Sequence, residues 1–183
     1  MPFVVASRKL SPSGLVRRFG DVQPVDVTSR GVVPWVRFSP FYPHGAIPVP
    51  LSPGHLGASV EGIWQGLKVF PGVGIDLSTI ANATAKGLKR TERVNGQVQG
   101  HQAGIEGDHL LTYAEARHLI YLPAYRWVLE NCLKEELSAL AALGEDRTVA
   151  LLDYETNEDV FYLTRPLSHA SLIKRWLEGH WPE

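Results

Sequence analysis

At 183 residues the chain lies in the usual single-domain range and is long enough to bury a hydrophobic core without disulfides or metals. Its formal net charge of -1 excludes a global field that would draw it to nucleic acid or to an anionic membrane, so any such contact has to be local. The one cysteine, Cys132, has no intrachain disulfide partner and falls in an apolar helical pattern, which reads as a buried thiol rather than a nucleophile.

The apolar run at the start of the chain is too short for a signal peptide, and no segment approaches the ~20 apolar residues of a membrane span, so the expected location is the cytoplasm, with no membrane partner. Residues 3–6 and 22–28 are β-branched and bounded by Gly, Pro and Ser, which predicts strands; 32–38 reads as a third. Residues 39–57 hold five prolines and three glycines, an extended loop too long to be a plain connector, so a ligand is expected beside it.

Ser59 is placed to cap a helix whose Val60, Ile63, Trp64 and Leu67 form one apolar face. On that helix Glu61 and Lys68 would share a flank about two turns, ~10 Å, apart. Asp76 is expected to cap a second helix with Leu77, Ile80, Ala81, Thr84 and Leu88 inward, followed by the basic run Lys86, Lys89, Arg90 and Arg93. Residues 94–107 are Gly-rich and read as loop. Thr112-Tyr-Ala-Glu115 is a capping box, and Pro123 should end or kink the helix that follows it near Leu122. Helical spacing from Tyr125 to Leu140 predicts one long helix closed at Gly144. Residues 148–153 form an apolar run ending in an acid, a buried strand that carries a carboxylate to its carboxyl edge. Ser168 then caps a last helix, with Leu172 and Ile173 inward and Gly179 at its end. Together these elements define an α+β fold, a single mostly helical domain with a small sheet spanning residues 1–183.

The seven histidines lack the spacing of metal ligands, so neither a metal nor an organic cofactor is expected. Gly72-Val-Gly74 lacks the third glycine of a dinucleotide fingerprint and follows a helix. Ser168, His169 and Asp153 could be drawn as a triad, but Ser168 is more economically an N-cap and no nucleophile elbow surrounds it. Three clusters remain. Arg37-Phe-Ser-Pro-Phe-Tyr-Pro-His44 joins a cation, hydroxyls and rings that suit a sugar or base held between aromatic faces, or else a hydrophobic turn packed on the core. Glu61 and Lys68 could line a cleft, or merely complement a helix dipole and sit in solvent. Asp153-Tyr-Glu-Thr-Asn157 follows the buried strand at the end where open sheets place ligands.

Phe38-Ser-Pro-Phe-Tyr-Pro43, a loop, and Ser59-Val-Glu-Gly-Ile-Trp-Gln-Gly-Leu-Lys68 together resemble the NADAR superfamily, whose motif has the form F-S-x-F-Y-P, loop, S-V-E-H-x-x-Q-x-x-K. The likeness is good over residues 36–88 and weak beyond. It implies cleavage of an N-glycosidic bond, as in the riboflavin-intermediate N-glycosidases and the enzymes that remove ADP-ribose from guanine in DNA. It would make Glu61 the catalytic glutamate and Lys68 the active-site lysine, with Phe38, Ser39 and Tyr42 lining the pocket and Asp153 an acidic residue on the last strand. Arg37, Trp64 and Asn157 complete the candidate substrate-binding set. Gly62 stands where the motif has His, and the late Trp-Gly motif near Asn157 is absent.

The substrate implied is a phosphorylated ribosyl or ADP-ribosyl compound, a nucleotide-like small molecule or an ADP-ribosylated target. Nucleic acid is permitted by the cations around Arg90 but not favoured, and the oligomeric state is left open. Two other readings stand beside the enzyme: a nucleotide-binding module without turnover, and a structural or assembly protein whose Trp64, Tyr125 and Trp176 only pack.

Overall fold

The computed structural model describes residues 2–182. In chain order its first elements are β1 (Phe3–Ser7), α1 (Pro12–Phe19), β2 (Val22–Asp26), a 3₁₀ turn (Trp35–Phe38), β3 (Ile47–Pro48), β4 (Leu56–Gly57), α2 (Val60–Gly66) and β5 (Lys68–Val69). Then come α3 (Leu77–Ile80), α4 (Glu92–Asn95), β6 (Gly100–Gln102), β7 (Leu110–Leu111), α5 (Tyr113–Ala116) and a π-helical turn (Arg117–Tyr121). The chain finishes with α6 (Leu122–Cys132), α7 (Lys134–Asp146), β8 (Thr148–Asp153) and α8 (His169–Leu177). Among the described residues helices accompany three small sheets, of which only one is parallel, so the fold is α+β, and no helix there is long and apolar enough to cross a membrane. The chain forms two compact units, one made of the segments up to Ser39 and from Leu133 onward, the other of Pro40–Cys132.

The first unit is built on a three-stranded parallel sheet in the order β1-β8-β2, with Phe3 opposite Val149 and Val22 opposite Thr148. Parallel strands bury both faces, which is why β8 is Val-Ala-Leu-Leu rather than alternating with charges. On one face Ala6 and Ala150 meet Leu15 of α1. On the other, the Phe3 ring lies so close to Gly144 of α7 that a Cβ there would come within 2.8 Å of it. Gly144 is therefore inside α7 as a packing position, where the sequence suggested a terminating cap.

In the second unit β5, β6 and β7 form an antiparallel sheet and β3 pairs with β4. Its core holds Ile47, Ile63, Leu67, Phe70, Ile80, Leu88, Ile120, Tyr125 and Leu129, each under 3 % exposed. α2 and α3 approach closely across two glycines. A Cβ on Gly62 would lie 2.9 Å from Thr79 O, and one on Gly66 would lie 2.3 Å from Ile80 Cγ1.

Other expectations need correction. Residues 32–38 form no strand: Pro34 has no N–H for a ladder, Val32 and Val33 face solvent, and the chain coils into the 3₁₀ turn. Asp76 does cap α3 through Ser78 N and Thr79 N, but α3 stops at Ile80, ahead of Ala85 and Gly87 with positive φ. Pro123 does not end its helix, and the irregularity expected near Leu122 takes the form of a π turn. The backbone widens into the π turn just before it and continues as α6, which relieves the clash between the ring and the preceding carbonyls. The single helix expected from Tyr125 to Leu140 is broken at Leu133, where φ is -125° and ψ is 21°. Cys132, at that break, is only half-buried.

Candidate functional site

The second unit gathers Glu61, Trp64 and Lys68 around α2. Ser59 caps the helix by accepting from Gly62 N at 3.0 Å, as its sequence position predicts. Glu61 follows in the first turn, its own N–H donating to Pro40 O at 2.9 Å. One turn on, Gln65 Nε2 donates to Glu61 Oε1 at 2.8 Å while Gln65 Oε1 accepts from Arg90 N at 3.1 Å. This relay holds one oxygen of the carboxylate and ties it to the Arg90 backbone.

Arg90 anchors the other end of α2. Its guanidinium donates to the carbonyls of Lys68 (2.6 Å), Gly74 (2.7 Å), Gln65 (3.3 Å) and Gly66 (3.4 Å) and lies 5.1 Å above the Phe70 ring. Carbonyls at a helix end lack intrahelical partners, and a planar fork of donors can serve several of them. The centre of the basic run is thus committed to the backbone.

Lys68 is not on α2. Leu67 closes the helix and Lys68 opens β5, so the two-turn spacing to Glu61 does not apply; the two charges nevertheless interact. Burial holds the Lys68 ammonium below its usual pKa; Glu61 and Glu92 oppose that shift, and Lys89 and Arg90 add to it. Lys89 Nζ stands 5.7 Å from the Phe41 ring centroid, which brings the aromatic loop motif to the same neighbourhood. Tyr42 packs on His44 instead, with ring centroids 4.8 Å apart.

Trp64 supplies an aromatic wall. Its ring packs against His101 at a 37° tilt with centroids 3.9 Å apart, and Tyr113 and Tyr121 meet it edge-on at 5.8 and 5.7 Å. His101 belongs to β6, directly opposite Lys68 in the ladder, and is 1 % exposed. Neither of its ring nitrogens has a hydrogen-bond partner. Burial, followed by the Lys68 charge, pushes its pKa down to about 3, and the Trp64 backbone offsets part of this without reaching hydrogen-bonding geometry. The imidazole is neutral at any physiological pH. Sequence reading missed His101 because its strand is three residues long within a tract that reads as Gly-rich loop.

The remaining predicted residues belong to the first unit and are engaged internally. Arg37 pairs with Glu136, which α7 presents at 4 % exposure. Phe38 is fully buried, its ring stacked with Trp35 at 6.4 Å, and Ser39 is 3 % exposed. Asn157 organises a loop, donating to Tyr162 O and Arg165 O and accepting from Asp159 N. Asp153 does reach the carboxyl edge of the sheet, as expected, but there it accepts from Ser168 Oγ (2.7 Å), His169 Nδ1 (2.9 Å) and Tyr154 N (2.7 Å). His169 Nε2 donates to Val27 O at 2.9 Å. The triad residues do meet, but Ser168 bonds the aspartate and both imidazole nitrogens face acceptors, so no base is left to activate the serine. The arrangement locks α8 to the sheet.

A cavity of about 360 Å³ also lies in the second unit, lined by Val73, Asp76, Lys89, Arg90 and Val94 among others. None of the predicted site residues lines it, and Asp76 and Arg90 already serve as a helix cap and a carbonyl clamp. The Glu61–Lys68–Trp64–His101 cluster, with a desolvated lysine and an unpartnered imidazole, is the better candidate.

Residues 7–173 match the model of a family described as "Family of unknown function (DUF6939)". The chain belongs to that family. No curated protein matches it.

Proposed function

We propose that the chain hydrolyses the N-glycosidic bond of a phosphorylated ribosyl compound, with Glu61 and Lys68 as the catalytic pair. The observation that carries this reading is a relay-held carboxylate interacting with a lysine whose pKa is lowered by burial. The resemblance of residues 38–43 and 59–68 to NADAR proteins supports it, and Gln65, which holds Glu61, is the glutamine of that same motif.

Cleavage of a ribosyl C–N bond passes through an oxocarbenium-like state. Glu61 takes a proton from water as the water oxygen bonds to the anomeric carbon, and it stabilises the positive charge developing there. The carbon–nitrogen bond breaks with its electrons going to the base, which takes a proton from the Lys68 ammonium. An ammonium acidified by burial transfers that proton more readily than a solvated one. Such acid–base assistance is worth ~10²- to 10⁴-fold, with positioning supplying more. Trp64 offers a face on which a base can stack.

Gly62 favours a second reading, a nucleotide-binding module without turnover. The resembled motif has His at that position, whereas here any Cβ would lie 2.9 Å from both Ser59 Oγ and Thr79 O. Incubating the protein with ADP-ribosylated guanosine and with nucleoside 5′-phosphates, and following free base by mass spectrometry, separates the two. Base release that disappears in Glu61→Gln supports hydrolysis. Saturable binding without release favours the module, and neither binding nor release refutes both.

A further inference from the structure

An imidazole nitrogen sealed from water without a partner is costly, and a folded protein keeps one where something else completes it. His101 has two such nitrogens. It lies opposite Lys68 in the β5–β6 ladder, so both side chains project from the same sheet face, and the Trp64 ring covers it at 3.9 Å. Trp64 is itself half-buried, flanked edge-on by Tyr113 and Tyr121.

We propose that His101 is a ligand-binding residue whose neutral imidazole hydrogen-bonds a ribose hydroxyl of the substrate, reached by displacement of the Trp64 ring. This rests on the glycosidase reading. The chemistry selects the partner. Lys68 already offers a positive charge to anionic groups, and a neutral imidazole beside it carries one donor and one acceptor. A hydroxyl can satisfy either nitrogen whichever tautomer is present. Trp64, displaced from His101, remains on α2 to stack on the base.

The test is calorimetric titration of wild type, His101→Phe and His101→Gln with ADP-ribose and with ribose 5-phosphate, alongside their melting temperatures and the imidazole ¹⁵N resonances. Removal of one buried hydrogen bond should weaken ADP-ribose binding about tenfold in His101→Phe. That variant should melt no lower than wild type, because it also removes the unpartnered nitrogens. His101→Gln, which keeps a donor and an acceptor, should bind within about threefold of wild type. The His101 nitrogen resonances should shift on adding ADP-ribose. Wild-type affinity in His101→Phe, or resonances that ADP-ribose leaves unmoved, would overturn the proposal. So would a loss of binding that only follows a fall in melting temperature in both variants. If wild type binds neither compound, the glycosidase reading falls and the ribose subsite with it, whereas wild-type binding retained in His101→Phe overturns the subsite alone.

Discussion

His169 and Asp153 form a buried ion pair, Nδ1 to Oδ2 at 2.9 Å, and the far side of the imidazole donates to Val27 O. With a carboxylate at one nitrogen and a carbonyl at the other, both nitrogens must carry protons, so the imidazolium is the form the fold selects. Although burial acts against the charge, the Asp153 carboxylate and its hydrogen bond raise the His169 pKa above its usual value. Burial likewise opposes ionisation of Asp153, but His169, Ser168 and Ala170 N together hold it down to about 2.

The pair therefore sets a stability window. A raised histidine contributes stability that is complete below its unfolded pKa of about 6.5 and is lost as pH rises through the folded value. A depressed aspartate contributes above about 4 and loses its contribution as pH falls toward 2. Urea unfolding from pH 3 to pH 9 should show greatest stability at about pH 4–6.5, with a decline on the alkaline side. His169→Asn should destabilise the fold by about 3–5 kcal/mol and flatten that decline; an unchanged alkaline limb would contradict the assignment.

Gly66 has no room for a side chain. Gly66→Ala brings a methyl against Ile80 and the Asp76 carbonyl, and should lower stability by about 1–3 kcal/mol in chemical denaturation. Gly74→Ala is the control, since nothing lies within 4 Å of its added Cβ and its φ is not positive. It should be neutral or gain up to about 1 kcal/mol.

Arg90→Lys should cost about 2 kcal/mol although it preserves the charge, because Nη1 serves the Lys68 carbonyl and Nη2 that of Gly74, and an ammonium offers one nitrogen in place of two. A urea midpoint equal to wild type would show that the guanidinium clamp does not stabilise the end of α2.

For the proposed catalytic pair, stability and activity should separate. Glu61→Gln can still accept from Gln65 and should lose no more than about 1 kcal/mol, from the charge that offsets Lys68 burial, while base release drops about 10²-fold or more. Lys68→Met removes an ammonium that burial disfavours, so melting should rise at neutral pH. The sign follows from the lowered lysine pKa, which penalises the folded state while the group is charged and relaxes as pH rises through the folded value.

Much of the local structure was legible in the sequence because single residues dictate it. Ser59, Asp76, Thr112 with Glu115, and Ser168 all cap the helices their side chains announce, and 148–153 is the buried strand its composition predicts. The failures lie where tertiary contact overrides a local pattern. Gly144 looks like a helix stop and serves as a seat for Phe3, and the apolar periodicity on both sides of Leu133 does not reveal the non-helical backbone at that residue. The site was read in part. Glu61 and Lys68 interact although Lys68 lies beyond the helix on which the spacing placed it, Arg37 and Asn157 are spent on internal bonds, and His101 faces Lys68 through a ladder pairing 33 positions apart that no spacing rule reaches.

The position of β8 between β1 and β2 also orders events on the ribosome. Both amino-terminal strands of the parallel sheet emerge early, yet each hydrogen-bonds to a strand translated after the whole of Pro40–Cys132 has been made. The inserted unit is continuous in sequence and holds all its own strand partners, so it can close while the chain is still growing. The first unit has to wait for its middle strand, and until residues 148–153 arrive the nascent β1 and β2 present unpaired edges, the state in which a holdase chaperone would find most to bind.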